Sequence, residues 1–319
     1  MRILMIGSNN PWLMEAAVER AFRRAGHETI LIDDSRARRL IGRRLTQRWA
    51  RRHARRFRPD FVFLSKCLAL EPETVAEIVR GVPNAMWYRD PQWHADLHRA
   101  DIAHIATIGK LARTFFVTGF EPEWRAHGLK ATFLPAAADA GIRPVAADPK
   151  FDSDVTFIGT GYDSERAKFL VRLGAHFNIR VWGLGWEPWR AHLDWGGRAV
   201  EGRDFAAVCS SSRIVLGANP VRAQGGTTYM SDRTWMVMLA GGFYLGQYSP
   251  GLAAMLYDGV HCAWYTDLGS CTNRCLHFIA NAPERQTIRS QGEQFVRANH
   301  TYDQRIPFIL EDRKWVNPL

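Results

Sequence analysis

Short apolar runs alternate with amphipathic segments along the chain, and this pattern predicts parallel sheets joined by helices. In the N-terminal half, the runs predicted as strands span 2–7, 27–34, 61–66, 83–90, 115–120 and 131–135. Apolar residues recur at helical spacing between Asn10 and Gly26 and again over 71–81, and we expect 93–113 to be a kinked helix. Because strands that alternate with helices form crossover units, the sheet is expected to be mostly parallel.

The same alternation starts again after 136–152, a stretch rich in Ala, Pro and Asp that is typical of a linker. The strands predicted beyond it span 154–159, 179–183, 213–219, 243–248 and 260–265. The predicted helices span 163–177, 204–212, 231–242 and 250–259, and the tail from Cys271 is helical in pattern. We therefore predict an α/β fold with two tandem Rossmann-like, doubly wound domains facing across a cleft. The domains are residues 1–148 and 149–319, with the last helix crossing back to the first domain.

Composition agrees with a globular protein and argues against a membrane-spanning one. Of 319 residues, 46% are hydrophobic, which is enough for two ordinary cores. The longest apolar stretch, 235–246, is interrupted by glycines and is shorter than the ~20 residues that a membrane span needs. Residues 1–10 end too polar for a signal peptide, so we expect a cytoplasmic protein.

The five cysteines have irregular spacing, which favours reduced thiols over a disulfide framework. Cys271, Cys275 and His277 lie near one another in sequence, but no second pair of ligands follows at the spacing of a zinc site. We therefore predict no bound metal.

Positive charge is concentrated in residues 35–59, which hold eleven arginines and no acid in a chain of net charge +10. A four-residue repeat in this segment forms a stripe that is apolar apart from one histidine: Ala37, Ile41, Leu45, Trp49, His53 and Phe57. A basic amphipathic helix over 36–58 suits an anionic membrane surface, and so a peripheral place on the inner membrane face. Alternatively the stripe packs on the sheet. Nucleic acid is a weaker alternative, because only Trp49 could stack on bases.

A glycine turn at the start of the second domain is the first candidate site. The sequence DVTFIGTGYDSER (154–166) predicts a strand, a Gly159-x-Gly161 turn and a helix that begins just before Arg166. This combination suits a bound phosphate, because a helix N-terminus attracts anions and glycine lets the backbone approach a ligand. A dinucleotide-binding dehydrogenase is disfavoured, since neither this turn nor the one near Asn10 contains Gly-x-Gly-x-x-Gly.

The C-terminal half resembles the CgeB-like spore-maturation glycosyltransferases, a group within the two-domain (GT-B) glycosyltransferases. The segments that carry the resemblance are DVTFIGTGYDSER, RVWGLGW, SDRTWMVMLAGGFYLGQYSPGLAAMLYDGVHCAWYTDL, PERQTIRSQGEQFV and NHTYDQR, over about 150–310. The resemblance implies a nucleotide-sugar donor held by the C-terminal domain and an acceptor held by the N-terminal domain, without a catalytic metal or other cofactor. It leaves UDP, GDP and dTDP sugars undistinguished. Met236 stands where this family usually has a Glu that contacts the donor.

Without a metal, the diphosphate of such a donor must be stabilised by arginines, backbone amides and helix N-termini. Arg233 is the main candidate, because it lies in the first turn of a predicted helix and a guanidinium can make paired bonds to phosphate. Ser231 either caps that helix or contacts the phosphate. Arg166 lies in the first turn of the 163–177 helix, where the dipole does not favour a cation, so it is either a donor-binding residue or a surface arginine. Trp182 and Gly183 end another predicted strand, at a place where the base of the donor could stack on the tryptophan ring. At a further strand end, the amides of Gly251 and Leu252 could face the diphosphate.

The acceptor side is expected to supply a base. Asp90 follows the fourth predicted strand directly, and His94 follows four residues later with a pKa naturally near the needed range. Asn10 either lines the acceptor side or caps the first helix.

Three functions remain open. The first is a glycosyltransferase acting on a glycan or lipid-linked glycan of the bacterial surface. The second is a non-catalytic sugar-nucleotide-binding protein, motivated by Met236, and the third is a glycosyltransferase acting on nucleic acid, motivated by the arginines.

Overall fold

The structure is a computed structural model, and it describes residues 1–90, 99–119, 121–219 and 231–316. The chain divides into two compact units. The N-terminal unit comprises Met1–Asp139 together with Tyr302–Val316, and the C-terminal unit begins at Ala140 and continues to Thr301. The end of the described chain therefore belongs to the N-terminal unit.

The N-terminal unit is built on a six-stranded parallel sheet with strand order β2-β1-β3-β4-β5-β6. Its strands are β1 Arg2–Ile6, β2 Glu28–Ile32, β3 Phe61–Leu64, β4 Asn84–Tyr88, β5 Thr114–Val117 and β6 Ala131–Phe133. Its helices are α1 Met14–Arg24, α2 Asp34–Phe57, α3 Pro72–Val79, α4 Arg99–Gly109, α5 Glu121–Arg125 and α12 Ile306–Glu311. The central strands are buried throughout because hydrophobic clusters cover both faces of the sheet.

The C-terminal unit has a second six-stranded parallel sheet with strand order β12-β11-β10-β7-β8-β9. Its strands are β7 Ser153–Ile158, β8 Ile179–Trp182, β9 Asp194–Trp195, β10 Ser212–Gly217, β11 Tyr244–Gln247 and β12 Ala263–Tyr265. Its helices are α6 Ser164–Leu173, α7 Gly202–Ser211, α8 Asp232–Leu239, α9 Pro250–Ala253, α10 Leu268–Ala280 and α11 Ala282–Asn299. The predicted α/β fold with two Rossmann-like sheets is confirmed. The two-residue strand β9 was not predicted, because it is too short to show a periodic pattern.

The segment from Tyr302 is held to the N-terminal unit by a buried arginine. Arg305 donates from Nε to the carbonyl oxygen of Pro135 (2.9 Å) and from Nη2 to that of Ala136 (3.2 Å). Burial lowers the pKa of Arg305 to about 9. Tyr302 packs edge-on against Trp87 of β4, with ring centroids 5.9 Å apart.

The first helix begins later than its sequence pattern predicts. Helix α1 starts at Met14, so Asn10 does not cap it and Pro11 lies outside its first turn. Instead, Asn10 Oδ1 accepts a hydrogen bond from the amide of Trp12 (3.1 Å). This contact closes a turn of the kind that asparagine favours, and the turn separates β1 from α1.

The prediction of one continuous stripe along α2 is wrong. Gly42 has a φ of 76°, which kinks the helix and changes the direction of the side chains that precede it. Beyond the kink, Ala50, Ala54 and Phe57 pack into the hydrophobic core of the N-terminal unit. Ile41 and Leu45, on either side of Gly42, are exposed. Within the described ranges, no helix combines the length and apolar character needed to cross a membrane.

Candidate functional site

The carboxyl ends of β7, β8, β10, β11 and β12 meet at one edge of the C-terminal sheet, because these strands are parallel. In open α/β sheets, ligands bind outside this edge. Most of the residues predicted to bind a donor lie there, so we describe each in turn.

Arg233 connects the ends of β7 and β10. The preceding Ser231 caps α8, since its side chain accepts the backbone N–H of Arg233 at 3.4 Å. The guanidinium donates from Nη1 to the carbonyl oxygen of Ile158 (2.6 Å) and from Nη2 to that of Ala218 (3.4 Å). Its Cζ lies 4.6 Å from the centroid of the Phe157 ring. The capping role expected for Ser231 is observed, and its contact with phosphate remains a prediction.

Arg166 reaches the same ring from α6. Its backbone N–H is held by the N-cap Asp163, whose Oδ1 lies 2.8 Å away. Its Nη2 donates to the carbonyl oxygen of Thr160 (2.5 Å), and its Cζ lies 5.2 Å from the Phe157 centroid. Arg166 is buried, although a cation in the first turn of a helix is disfavoured by the helix dipole. Two guanidinium groups over one ring give this edge a positive potential that favours an anionic ligand.

The glycines of the β7 and β8 loops pack against each other. The amide of Gly159 donates to the carbonyl oxygen of Trp182 (2.8 Å), and the amide of Gly161 donates to that of Leu184 (2.8 Å). A Cβ atom on Gly183 would lie 2.1 Å from the carbonyl oxygen of Gly159. The amide hydrogens of Gly159 and Gly161 are therefore already bonded to carbonyl groups of the protein. The close packing of the two loops is by itself enough to explain why glycine is needed at these positions. Contact of these glycines with a ligand remains a prediction.

Trp182 does not present a ring for a base to stack on. Trp182 is only 3% exposed, and its ring packs edge-on against Phe151 with ring centroids 5.4 Å apart. A Cβ atom on Gly196 would lie 2.2 Å from a carbon of the indole, and Arg180 lies over the ring with its Cζ 4.9 Å from the centroid. The predicted stacking role does not fit this packing, because the aromatic faces are covered by the protein itself.

The turn at Gly251 and Leu252 is a less favourable anion site than its sequence indicates. Both residues belong to α9, a helix of four residues, and the Leu252 side chain is buried. A single helical turn aligns few peptide dipoles, so its attraction for an anion is weak. The donor role of both residues remains a prediction.

A groove of about 220 Å³ lies beside Arg166 at the same edge. Lys168 and Arg172 line it from α6, and Asn219 and Gln247 line it from the ends of β10 and β11. Gln247 Oε1 accepts the backbone N–H of Asn219 at 3.2 Å. Glu165 also lines the groove and pairs with Lys168 at 2.7 Å. The lining thus holds three cationic side chains, one carboxylate and two amides, and its net positive charge suits a ligand that is both anionic and able to form hydrogen bonds.

Among the residues predicted to act on an acceptor, Asp90 follows β4 and forms an ion pair with Lys66, which follows β3. His94 lies outside the described residues. Asn10 lies in the turn after β1, among the residues that line a groove of about 680 Å³. Asp90 and Asn10 thus follow two strands of the N-terminal sheet at its carboxyl edge.

One buried polar pair at this edge was not predicted. Ser65 Oγ donates to Glu15 Oε1 at 2.7 Å, and both residues are buried. Glu15 Oε2 is also buried and has no hydrogen-bond partner within the described part of the chain. Sequence offered one signal, a single acid among the apolar positions Met14, Ala16 and Ala17 of a predicted helix.

The cysteines show no arrangement that would hold a metal. All five are free and buried. Among the described residues, no group of three or more His, Cys, Asp or Glu side chains could hold a metal ion. The metal-free reaction remains a prediction.

Residues 166–311 match the family model described as glycosyl transferase-like. The matched segment includes Arg166, Arg233 and the groove beside Arg166, and it covers less than half of the chain. A search of curated protein sequences found no match. The narrower resemblance to the CgeB-like proteins remains a prediction.

Solved structures resemble the whole chain in fold. HepE from Anabaena, in complex with UDP and glucose, has a TM-score of 0.65 and 10% identity, and the match covers 98% of this chain and 100% of HepE. Sucrose-phosphate synthase from Thermosynechococcus elongatus has a TM-score of 0.69 and 11% identity, covering 98% of each chain. T4 phage β-glucosyltransferase with its UDP-glucose substrate has a TM-score of 0.59 and 11% identity, covering 98% of this chain and 100% of that one. Identity this low shows the fold alone, and it confirms the predicted GT-B fold class.

Proposed function

We propose that this protein is a glycosyltransferase that moves a sugar from a nucleotide-diphosphate sugar to an acceptor hydroxyl without a catalytic metal. The observation that carries the proposal is the convergence of Arg166 and Arg233 on Phe157 at the carboxyl edge of the C-terminal sheet. Both arginines lie in the segment that matches the glycosyl transferase-like family model. Proteins of similar fold that bind UDP or UDP-glucose support a donor of this class.

In the transfer, the acceptor oxygen bonds to the anomeric carbon while the bond between that carbon and the diphosphate oxygen breaks. The diphosphate leaves with the electron pair, and the guanidinium groups of Arg166 and Arg233 stabilise its added negative charge. For a reaction with inversion, Asp90 or His94 accepts the proton of the acceptor hydroxyl. Asp90 is the candidate with a described contact, since Lys66 holds its carboxylate.

For the acceptor, we propose a glycan or lipid-linked glycan of the bacterial cell surface, modified in the cytoplasm at the inner membrane face. Transfer to nucleic acid is the weaker alternative. The exposed arginines of α2 would suit either acceptor.

A panel of UDP, GDP, dTDP and CMP sugars tests donor binding, because a ligand that binds only the folded state raises the melting temperature. With the best donor, we expect Arg233→Ala to weaken binding by about 10–100-fold, from the loss of charge-assisted hydrogen bonds worth ~1.5–3 kcal/mol. Arg213→Ala, which removes an exposed arginine at the start of β10, the end of that strand opposite to this edge, is the matched control and should bind like wild type. Equal donor affinity in Arg233→Ala and wild type, or no shift with any donor, would contradict the proposal.

The second candidate is a non-catalytic sugar-nucleotide-binding protein. It is favoured by Met236, a partly exposed residue of α8 that lies one turn beyond Arg233. Slow donor hydrolysis without acceptor distinguishes the two functions. An enzyme releases the nucleoside diphosphate over time, whereas a binding protein leaves the donor intact.

A further inference from the structure

Helix α2 carries an array of positive charge that the rest of the protein neutralises only in part. Residues 35–59, which include nearly all of α2 and the two residues after it, hold eleven arginines and no acid, and all of these arginines except Arg51 are exposed. In the described part of the chain, the carboxylate partners of these arginines are two residues on or beside α3. Glu71 pairs with Arg43 (2.9 Å), and Glu77 pairs with Arg51 (2.9 Å) and Arg55 (2.5 Å). The remaining like charges repel one another, so an anionic partner would stabilise them.

Apolar side chains are exposed within this positive array. Leu40 is 72% exposed, Ile41 39% and Leu45 52%, and they flank the kink at Gly42. Apart from its chain neighbours and the backbone of its own helix, no atom of the described residues lies within 4 Å of the position that a Cβ on Gly42 would take, so glycine is needed for the bend rather than for packing. The bend leaves these aliphatic side chains in solvent, where their exposure is unfavourable.

A second apolar element lies next to this patch. Pro11 and Leu40 line the same groove of about 680 Å³, together with Arg36 and Arg39. Trp12, the neighbour of Pro11, is 50% exposed. Tryptophan is enriched where a membrane meets water, because its ring is apolar and its N–H can still form hydrogen bonds.

This combination favours a lipid surface over nucleic acid. Exposed leucine and isoleucine gain nothing from a phosphate backbone, and single-stranded nucleic acid binds through aromatic platforms interleaved with basic residues. Aliphatic side chains with flanking arginines suit the boundary between lipid headgroups and acyl chains.

We propose that the surface formed by residues 36–48 of α2 and the 8–12 turn docks on a bilayer that contains anionic phospholipid. The arginines contact the headgroups, and Leu40, Ile41, Leu45 and Trp12 enter the interface. The groove beside this surface lies at the carboxyl ends of β1 and β2, so docking brings that edge of the N-terminal sheet close to the lipid. If the protein is a glycosyltransferase as proposed, docking also implies that its acceptor is lipid-linked. This implication rests on the proposed function, whereas the docking itself does not.

Sedimentation of the full chain with vesicles tests the proposal without any donor. We expect binding to vesicles of phosphatidylcholine mixed with phosphatidylglycerol, and much weaker binding to phosphatidylcholine alone. The combined variant Leu40→Ser, Ile41→Ser and Leu45→Ser should bind on the order of tenfold more weakly or worse, since it removes exposed apolar area. The control Leu184→Ser with Leu276→Ser changes exposed leucines of the C-terminal unit and should bind like wild type.

The charge component is tested separately. The combined variant Arg38→Gln, Arg39→Gln and Arg44→Gln should bind roughly 100-fold more weakly at low salt, because each arginine near an anionic surface contributes ~1 kcal/mol. The control Arg190→Gln with Arg203→Gln removes exposed arginines of the C-terminal unit and should have a much smaller effect. All of these side chains are exposed, so unchanged melting temperatures check that the variants fold.

Two results would overturn the proposal. One is equal binding to neutral and anionic vesicles. The other is tight, salt-dependent binding to DNA by both wild type and the apolar variant, together with no vesicle binding, which would identify a nucleic-acid surface instead. Because no donor is present, neither result bears on whether the C-terminal unit binds a nucleotide sugar.

Discussion

Replacing Gly161 with alanine measures how strictly the loops after β7 and β8 depend on their close packing. The φ of Gly161 is not positive, so the substitution adds a Cβ atom without the penalty of a left-handed backbone. That Cβ would lie 2.4 Å from the carbonyl oxygen of Gly185 and 2.7 Å from the Trp186 ring. A backbone carbonyl cannot rotate away as a side chain can, so the two loops must separate.

The cost follows from these contacts. An unstrained carbon–oxygen contact is ~3.3 Å, so the new Cβ lies about 0.9 Å too close. Overpacking of this kind costs ~1–3 kcal/mol. Separating the loops also weakens the hydrogen bond from the Gly161 amide to Leu184, which contributes ~0.5–1.5 kcal/mol. We expect a loss of about 2–4 kcal/mol, a large share of the ~5–15 kcal/mol stability of a typical protein.

Urea denaturation followed by tryptophan fluorescence measures this loss, with the C-terminal unit's transition resolved if the units unfold separately. Gly269→Ala is the matched control. Its φ is also not positive, and among the described residues outside its own helix backbone and chain neighbours, its Cβ would meet one atom, Asp267 Oδ1, at 3.3 Å. It lies in the first turn of α10, where alanine should be neutral or stabilising by up to ~1 kcal/mol. If Gly161→Ala unfolds at the same urea concentration as the control, the packing account of this loop is wrong.

Two further predictions concern buried polar residues. Burial lowers the pKa of His261, which stacks on Phe295 and whose Nδ1 accepts the Tyr257 amide. The unfolded state then binds more protons below pH ~6.5, so the melting temperature should fall between about pH 7 and pH 5, and it should fall less in His261→Asn. An equal fall in both proteins would contradict this assignment. For the pair of Glu15 and Ser65, Glu15→Leu should cost ~1–3 kcal/mol by leaving a buried hydroxyl without its acceptor, whereas Glu15→Gln keeps an acceptor and should cost less. Urea denaturation of both variants, and of each combined with Ser65→Ala, measures the coupling, and simple additivity would argue against it.

The fold was predictable because its signals are local. A strand shows an apolar run and a helix shows a 3.6-residue repeat, and their alternation leaves a parallel sheet as the simplest arrangement. For the same reason the candidate loops could be predicted, since residues that follow parallel strands must share one edge. Arg166 and Arg233 were found as candidates through their places in first helical turns.

What these residues contact was decided by the tertiary structure. The guanidinium groups of Arg166 and Arg233 converge on Phe157 only because α8, which is remote in sequence, approaches the end of β7, where α6 begins. Trp182 packs against Phe151, which does not fit its predicted role in stacking on a base. Glu15 accepts a hydrogen bond from Ser65, which is fifty residues away in sequence.

Helix α2 shows the same division within one element. Sequence alone determined its arginines and its four-residue apolar repeat, because both are properties of neighbouring positions. Tertiary structure decided which members of the repeat are covered: Ala37 and Phe57 are buried, whereas Ile41 and Leu45, close to the kink at Gly42, are exposed. Side-chain burial depends on contacts with residues that are close in space but remote in sequence, and a local sequence pattern contains no information about those contacts.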